Sequence, residues 1–201
     1  RTAVKRALVT GGSGGIGAAI CRRLAADGCH VIVHANRGRD KAEAVVGEIL
    51  AGGGSAEAII FDVTEREPTA TALAELLAAG PIQILVNNAG IHADAVFPGM
   101  SGEQWDSVID VSLNGFFNVT RPLILPMIRT RWGRIVTVSS IAAITGNRGQ
   151  VNYSAAKGAL HAASKSLALE VASRGITVNA VAPGIIATGM VDGAFDPATI
   201  K

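Results

Sequence analysis

Arg6-Ala-Leu-Val-Thr10 runs straight into Gly11-Gly-Ser-Gly-Gly-Ile-Gly17, and a helical pattern, Gly15 to Asp27, follows. A short continuous apolar run is how a strand buried on both faces reads. The turn behind it carries glycines for three separable reasons. Gly11 permits the tight reversal, Gly15 lets backbone approach a bound group, and Gly17 lets helix and strand pack closely. The helix N-terminus beyond offers unpaired N–H groups and a positive dipole end, which suit a pyrophosphate. The spacing has one residue more before the second glycine than the standard dinucleotide turn. Glycines alone also fit a plain turn, so the placement between strand and helix carries the functional reading.

The alternation repeats along the chain. Strands are predicted at Arg6–Thr10, His30–Ala35, Ala56–Asp62, Ile84–Ala89, Arg134–Ser139 and Thr177–Pro183. Helical patterns fill Gly15–Asp27, Asp40–Ala51, Glu65–Ala79, Gln104–Arg131 and Val151–Arg174. Thr64 with Glu67 and Ser101 with Gln104 have capping-box spacing. Gly28 and Gly175 sit where helix C-terminal glycines belong. Pro122 and Pro126 are expected to interrupt the fourth helix, because proline removes a donor. Regular β-α alternation gives an α/β fold, a doubly wound parallel sheet between two helical layers. Ligands on such sheets bind beyond the carboxyl ends of the strands.

Composition narrows the class. The 201 residues are 49% hydrophobic, 17% charged and 4% aromatic, with 24 glycines. That fits one globular domain with a single sizeable core, spanning residues 1–201. The glycines show no triplet period, and no apolar run approaches the ~18 residues of a membrane span. A net charge of +2 gives no argument for nucleic acid. Cys21 and Cys29 make neither a disulfide framework nor a metal quartet and read as buried thiols. His30, His34, His92 and His161 lack metal-ligand spacing, so no metal is expected. No basic-then-apolar segment opens the sequence, and a cytoplasmic location is expected.

The second strand ends Val33-His34-Ala35-Asn36-Arg37, with no carboxylate before Asp40. An acid near this point would bind the ribose 2′-hydroxyl of NAD. Arg37 and Arg39 suit a 2′-phosphate instead, which favours NADP; a solvated turn is the alternative. Tyr153 is the single tyrosine, and Lys157 lies four residues on, on the same helix face. Ser140 ends the fifth strand.

With these pieces in order, the chain resembles the short-chain dehydrogenase/reductase family across nearly its whole length. The resemblance rests on Thr10-Gly-x-x-x-Gly-x-Gly17, Asn87-Asn88-Ala89-Gly90, Ser140, Tyr153-x-x-x-Lys157 and Pro183-Gly184-x-x-x-Thr188. It implies a Rossmann-type three-layer sheet of strand order 3-2-1-4-5-6, with a seventh strand beyond Lys201 and a substrate lid incomplete from about 188. It implies that Tyr153 is the general acid, Ser140 holds the substrate oxygen and Lys157 holds the nicotinamide ribose. The Lys157 ammonium is expected to lower the Tyr153 pKa. By the same resemblance NADP(H) is held by Gly11, Ser13, Gly15, Ile16, Gly17, Asn36 and Arg37. Further contacts fall to Asp62, Val63, Asn88, Ala89, Gly90, Tyr153, Lys157, Pro183, Gly184, Ile186 and Thr188.

Two positions depart from the family pattern. Gly14 stands where a basic residue often precedes the second motif glycine, which leaves Arg37 to meet the 2′-phosphate. Ser112 stands where the fourth catalytic residue is an Asn, and Asn114 is two residues on, roughly 200° around a helix. Arg134–Ser140, Gly146–Tyr153 and Lys165–Asn179 are most similar to 3-oxoacyl-acyl-carrier-protein reductases. That subgroup implies an acyl carrier protein as partner, met by Arg131 and Arg174, whose other reading is helix-end solvation. It also implies a homotetramer or other homo-oligomer, paired through the fourth and fifth helical stretches. A reductase of a free ketone, sugar or alcohol is the alternative, and a non-catalytic scaffold subunit is the third reading.

Overall fold

The computed structural model describes residues 4–186. Its strands are β1 (Arg6–Val9), β2 (His30–Ala35), β3 (Ser55–Ile60), β4 (Ile84–Asn87), β5 (Gly133–Val138) and β6 (Ile176–Val181). All pair in parallel in the order β3-β2-β1-β4-β5-β6. Leu8 lies between Ile32 on one side and Leu85 on the other. The helices are α1 (Gly15–Ala26), α2 (Arg39–Ala51), α3 (Arg66–Ala78), α4 (Gly102–Ile109), α5 (Gly115–Thr130), α6 (Ala142–Thr145) and α7 (Val151–Val171). The chain winds outward to β3, then returns to β4 beside β1. The switch point between β1 and β4 opens a crevice at their carboxyl ends.

The strands are apolar on both faces because both faces are covered. On one side Leu8, Ile32, Leu85 and Ile135 meet Leu73 of α3 and Val119, Leu123 and Met127 of α5. On the other Ala7, Val9, Val31 and Val33 meet Ala18, Cys21 and Ala25 of α1 and Val45 and Ile49 of α2. Each buried Leu or Ile contributes about 2 kcal/mol by its removal from water.

Local signals mostly take their expected form. Ser101 and Gln104 make a reciprocal capping box at the start of α4. Gly28 (φ +86°) and Gly175 (φ +72°) reverse the chain before β2 and β6. Cys21 and Cys29 are free and buried.

Two expectations fail. Thr64 caps no helix: its hydroxyl and its N–H both donate to Asp62 Oδ1, at 2.8 and 2.9 Å. The Asx-type turn after β3 captures the threonine first. The break between α4 and α5 also falls elsewhere than at the prolines. It is a wide π turn over Asp110–Asn114, and α5 runs through both Pro122 and Pro126. The prolines are four apart, so the two lost donors lie on one side of a helix whose Val119, Leu123 and Met127 are buried in the core. Gly115 restarts the helix against the end of β3; a Cβ there would lie 2.9 Å from Val63 Cγ2. Among the described residues no helix is long and apolar enough to cross a membrane.

Candidate active site

The carboxyl ends of β1, β4, β5 and β6 surround a cleft of about 800 Å³. Its floor is the glycine turn and the loop after β4, locked together. Thr10 Oγ1 accepts the N–H groups of Asn88 and Ala89, both at 3.0 Å. Asn88 Nδ2 returns bonds to the carbonyls of Thr10 (3.0 Å) and Gly11 (3.2 Å). Asn87 turns away to Thr120 of α5. A Cβ on Gly17 would collide with the Gly11 carbonyl and lie 2.8 Å from Asn88 Nδ2, so only glycine lets α1 start this close to the turn.

The reactive side chains face this floor. Tyr153 and Lys157 lie one turn apart on α7, with Lys157 Nζ 5.7 Å from the Tyr153 ring centre. Lys157 Nζ donates to the Val138 carbonyl at 2.9 Å. Ser139 Oγ donates to the Lys157 carbonyl at 3.1 Å, tying β5 to α7. A Cβ on Gly90 would lie 3.0 Å from Lys157 Nζ, so the missing side chain leaves room for the ammonium. Burial lowers Lys157 to about 8. Ser140 accepts the Ala142 N–H at 3.2 Å and lines the same cleft as Tyr153.

The Tyr153 phenol departs from expectation. Burial pushes its pKa up, against the hydrogen bond from Ser140, and the nearby Asp94 charge pushes it further up. The ammonium of Lys157 is aimed at a carbonyl and is itself disfavoured by burial, so desolvation wins here.

Of the residues expected to hold a dinucleotide, Gly11, Ser13, Ile16, Gly17, Asn88, Ala89, Gly90, Tyr153, Lys157, Pro183, Gly184 and Ile186 line the cleft. Gly15 opens α1 beside it. Asn36, Arg37, Asp62 and Val63 follow β2 and β3, past the cleft wall. Burial alone would raise the Asp62 carboxyl, but bonds from Thr64 and Asn36 and the Arg37 charge outweigh it and hold it below the usual range. Arg39 is occupied by Glu43 on the surface of α2. Val63 is core wall, and its carbonyl accepts Asn118 Nδ2 at 2.9 Å. Thr188 lies outside the described residues.

Ser112 is buried in the π turn, its Oγ has no partner, and it points toward Gly90 and Lys157. Asn114 is tied at 2.6 Å to Asp110 on the exposed side and cannot stand in for it. Arg131 and Arg174 precede β5 and β6, so they lie at the amino ends of the sheet, away from the cleft. At about 3.3 Å per residue the six residues of β5 put roughly 20 Å between the two ends. The Arg131 guanidinium donates to the Ser173 carbonyl at 3.2 Å.

The sequence reading passed over three groups. Asn152 is fully buried and donates to the carbonyls of Ala93 (3.0 Å) and Gln104 (2.9 Å), fixing the cleft's outer loop to α4. Its place beside Tyr153 was the available signal. Asp94 faces His92 at 3.5 Å and accepts Gln150 Nε2 at 2.9 Å, closing the mouth between two loops. His34 is buried under the glycine turn.

The fold, the glycine turn at the switch point and the Ser-Tyr-Lys group define a dinucleotide-dependent oxidoreductase. The family model for short chain dehydrogenases matches residues 5–198, and the chain belongs to that family. It is similar to the 3-oxoacyl-[acyl-carrier-protein] reductase of Aggregatibacter actinomycetemcomitans, at 46% identity over 162 residues, covering 80% of this chain and 67% of the relative. It is also similar to the acetoacetyl-CoA reductase of Cupriavidus necator, at 45% over 186 residues (92% of this chain, 76% of the relative). Nodulation protein G of Azospirillum brasilense is 45% identical over 164 residues, covering 81% and 67%. Membership brings a nicotinamide dinucleotide as cofactor, and the site fits one. Gly17 lets α1 start hard against the turn, so the first-turn N–H groups of that helix border the cleft, where a pyrophosphate can meet them.

Proposed function

We propose that the protein reduces a 3-oxoacyl thioester to the 3-hydroxyacyl thioester with NADPH, as a cytoplasmic, homotetrameric enzyme of acyl-chain synthesis. The observation that carries this reading is that Ser140, Tyr153 and the buried Lys157 meet in one cleft, with Lys157 Nζ 5.7 Å from the Tyr153 ring centre. The bound nicotinamide supplies the hydride to the ketone carbon. Tyr153 gives its phenolic proton to the ketone oxygen, and a raised pKa keeps that proton in place until it is needed. Ser140 donates to the same oxygen as charge develops on it. Lys157, charged below about pH 8, stabilises the phenolate left behind and holds the nicotinamide ribose. Ser112 supplies a hydroxyl behind Lys157 for the returning proton.

Preference for NADPH is supported by Arg37 after β2 and by the lack of a carboxylate between Ala35 and Arg39. Asn36, Asp62 and Val63 are proposed to frame the adenosine side, and Pro183, Gly184 and Ile186 the nicotinamide side. One domain over residues 1–201 carries both cofactor binding and catalysis.

For the acyl carrier, carrier protein is the first reading. Coenzyme A is the second, favoured by the distance of Arg131 and Arg174 from the cleft. NADPH oxidation is measured with a carrier-bound 3-oxoacyl substrate, a 3-oxoacyl-CoA, a small β-keto ester and a panel of simple ketones. Turnover of ketones alone would point to a free-ketone reductase, and tight NADPH binding without turnover to a scaffold. Arg131→Glu and Arg174→Glu lower kcat/KM several-fold for carrier protein alone if those arginines dock it. Equal loss on every substrate counts against docking.

A further inference from the structure

The reaction makes no use of His34, yet its side chain is held directly against the glycine turn. It ends the inner face of β2 at 2% exposure. Its Nδ1 lies 3.1 Å from the Gly11 nitrogen and its Nε2 lies 2.8 Å from the Phe61 carbonyl oxygen. The imidazole also packs on the Phe61 ring, with centroids 4.2 Å apart. The partners fix the tautomer. A backbone N–H can only donate and a carbonyl can only accept, so the ring is neutral with its proton on Nε2. Burial agrees, lowering the His34 pKa to about 4.

The main chain of the same residue adds a second hold. The His34 carbonyl accepts the Gly12 N–H at 2.8 Å. One residue therefore takes the first two amides of the turn, and the Gly14 N–H is taken by the Gly11 carbonyl at 3.2 Å. None of these three amides is free for a phosphate. Ser13 and the first-turn amides of α1 remain. Gly11 itself sits in the left-handed region at φ +63°, a conformation that glycine shares with several others and that needs an external hold to persist.

We propose that His34 is a positioning residue for the dinucleotide. By binding the Gly11 N–H on one side and the Phe61 carbonyl on the other, it joins β1, β2 and the end of β3. This join sets which amides of the turn face the cofactor. The inference rests on the glycine turn being the pyrophosphate site. Without the imidazole the Gly11 N–H is buried and unpaired, the turn populates other conformations, and affinity falls with the competent fraction.

The test compares His34→Leu, which can neither accept nor donate, with His34→Gln, whose amide can do both. Dinucleotide Kd by fluorescence titration, steady-state kinetics and thermal melts are measured on each. His34→Leu is expected to raise Kd and KM for NADPH roughly tenfold, with kcat at saturating NADPH and KM for the keto substrate within threefold of wild type. His34→Gln is expected to return Kd to within threefold, even if both variants melt earlier. A folded His34→Leu protein that binds NADPH within twofold of wild type overturns the proposal. So does a His34→Gln variant as weak as His34→Leu. A measurement on the unmodified protein stands independently of mutant folding. Amide exchange is expected to be slow at Gly11 and Gly12 with or without NADPH, and to slow at Gly15–Gly17 only when NADPH binds. Fast exchange at Gly11 in the free protein overturns the tie. If the wild type binds neither NADPH nor NADH, the pyrophosphate reading itself fails, whatever Gly11 does.

Discussion

The two ends of the parallel sheet use similar residues to opposite effect. At the amino ends the charges around β1 and β3 are answered. Arg6 Nη1 donates to the carbonyls of Leu76 and Gly80, both at 2.7 Å, and Nη2 pairs with Glu57 at 3.3 Å. Glu57 also meets His30 at 3.0 Å, and His30 meets Ser55 at 2.7 Å. At the carboxyl ends the polar groups keep capacity in reserve. Lys157 uses one of its three protons on Val138, and Ser112 Oγ has no partner. Saturated polar clusters hold a fold together, and groups with donors or acceptors left over are available to a ligand.

That contrast breaks most sharply at Tyr153. Tyr153→Phe is expected to lower kcat by about 10²–10⁴ while NADPH binding is kept, because only the transferable proton is lost. A variant with most of its rate would remove Tyr153 from the mechanism.

Lys157 comes next, and it separates stability from activity. Its folded pKa of about 8 lies below the ordinary lysine value, so the folded state disfavours the charged form. The resulting cost is fully present below pH 8 and is relieved as pH climbs toward about 10.5. Lys157→Met is therefore expected to melt higher at pH 7 by the equivalent of about 1–3 kcal/mol and to lose turnover. Wild-type kcat/KM falls as pH rises through about 8, where the ammonium is lost. A rate that stays flat from pH 7 to 10 would contradict the need for that charge.

At the other end, Arg6→Ala is expected to cost about 1–3 kcal/mol in a denaturant melt, with kcat unchanged, because the carbonyls of Leu76 and Gly80 lose their donor. The smallest effect belongs to Ser112→Ala. Removing a buried hydroxyl without a partner leaves stability unchanged or raises it by up to about 1 kcal/mol. A kcat that falls several-fold in this variant marks the hydroxyl as functional, and an unchanged kcat marks it as filler.

Much of this was legible in the sequence because parallel strands and their turns are local signals. Strand 2 fell on His30–Ala35 as read, and the other strands came within two residues at each end. Ser140, Tyr153 and Lys157 share the cleft because the element order puts each of them at or beyond a strand's carboxyl end. The misses are contests that a one-dimensional pattern does not score. Thr64 had two partners within reach, and Asp62 was nearer than a helix N-terminus. The prolines of α5 marked where donors were lost, but the break formed where Gly115 packs against Val63, a contact distant in sequence. The Tyr153 shift depends on burial, which the spacing to Lys157 does not reveal. The place of Arg131 and Arg174 follows from chain order alone. Each directly precedes a strand, and parallel strands share one direction.

The thiol beneath the glycine turn has a practical side. Cys21 is fully buried, its Sγ lies 3.8 Å from the Gly12 carbonyl oxygen, and burial pushes its pKa up to about 12. Burial raises Cys29 as well, and the sequence has no other cysteine. Alkylating reagents act on thiolates, so the native background is silent at neutral pH. A single cysteine introduced at the cleft mouth, at Arg148, therefore takes a fluorophore by itself and turns cofactor binding into an optical signal.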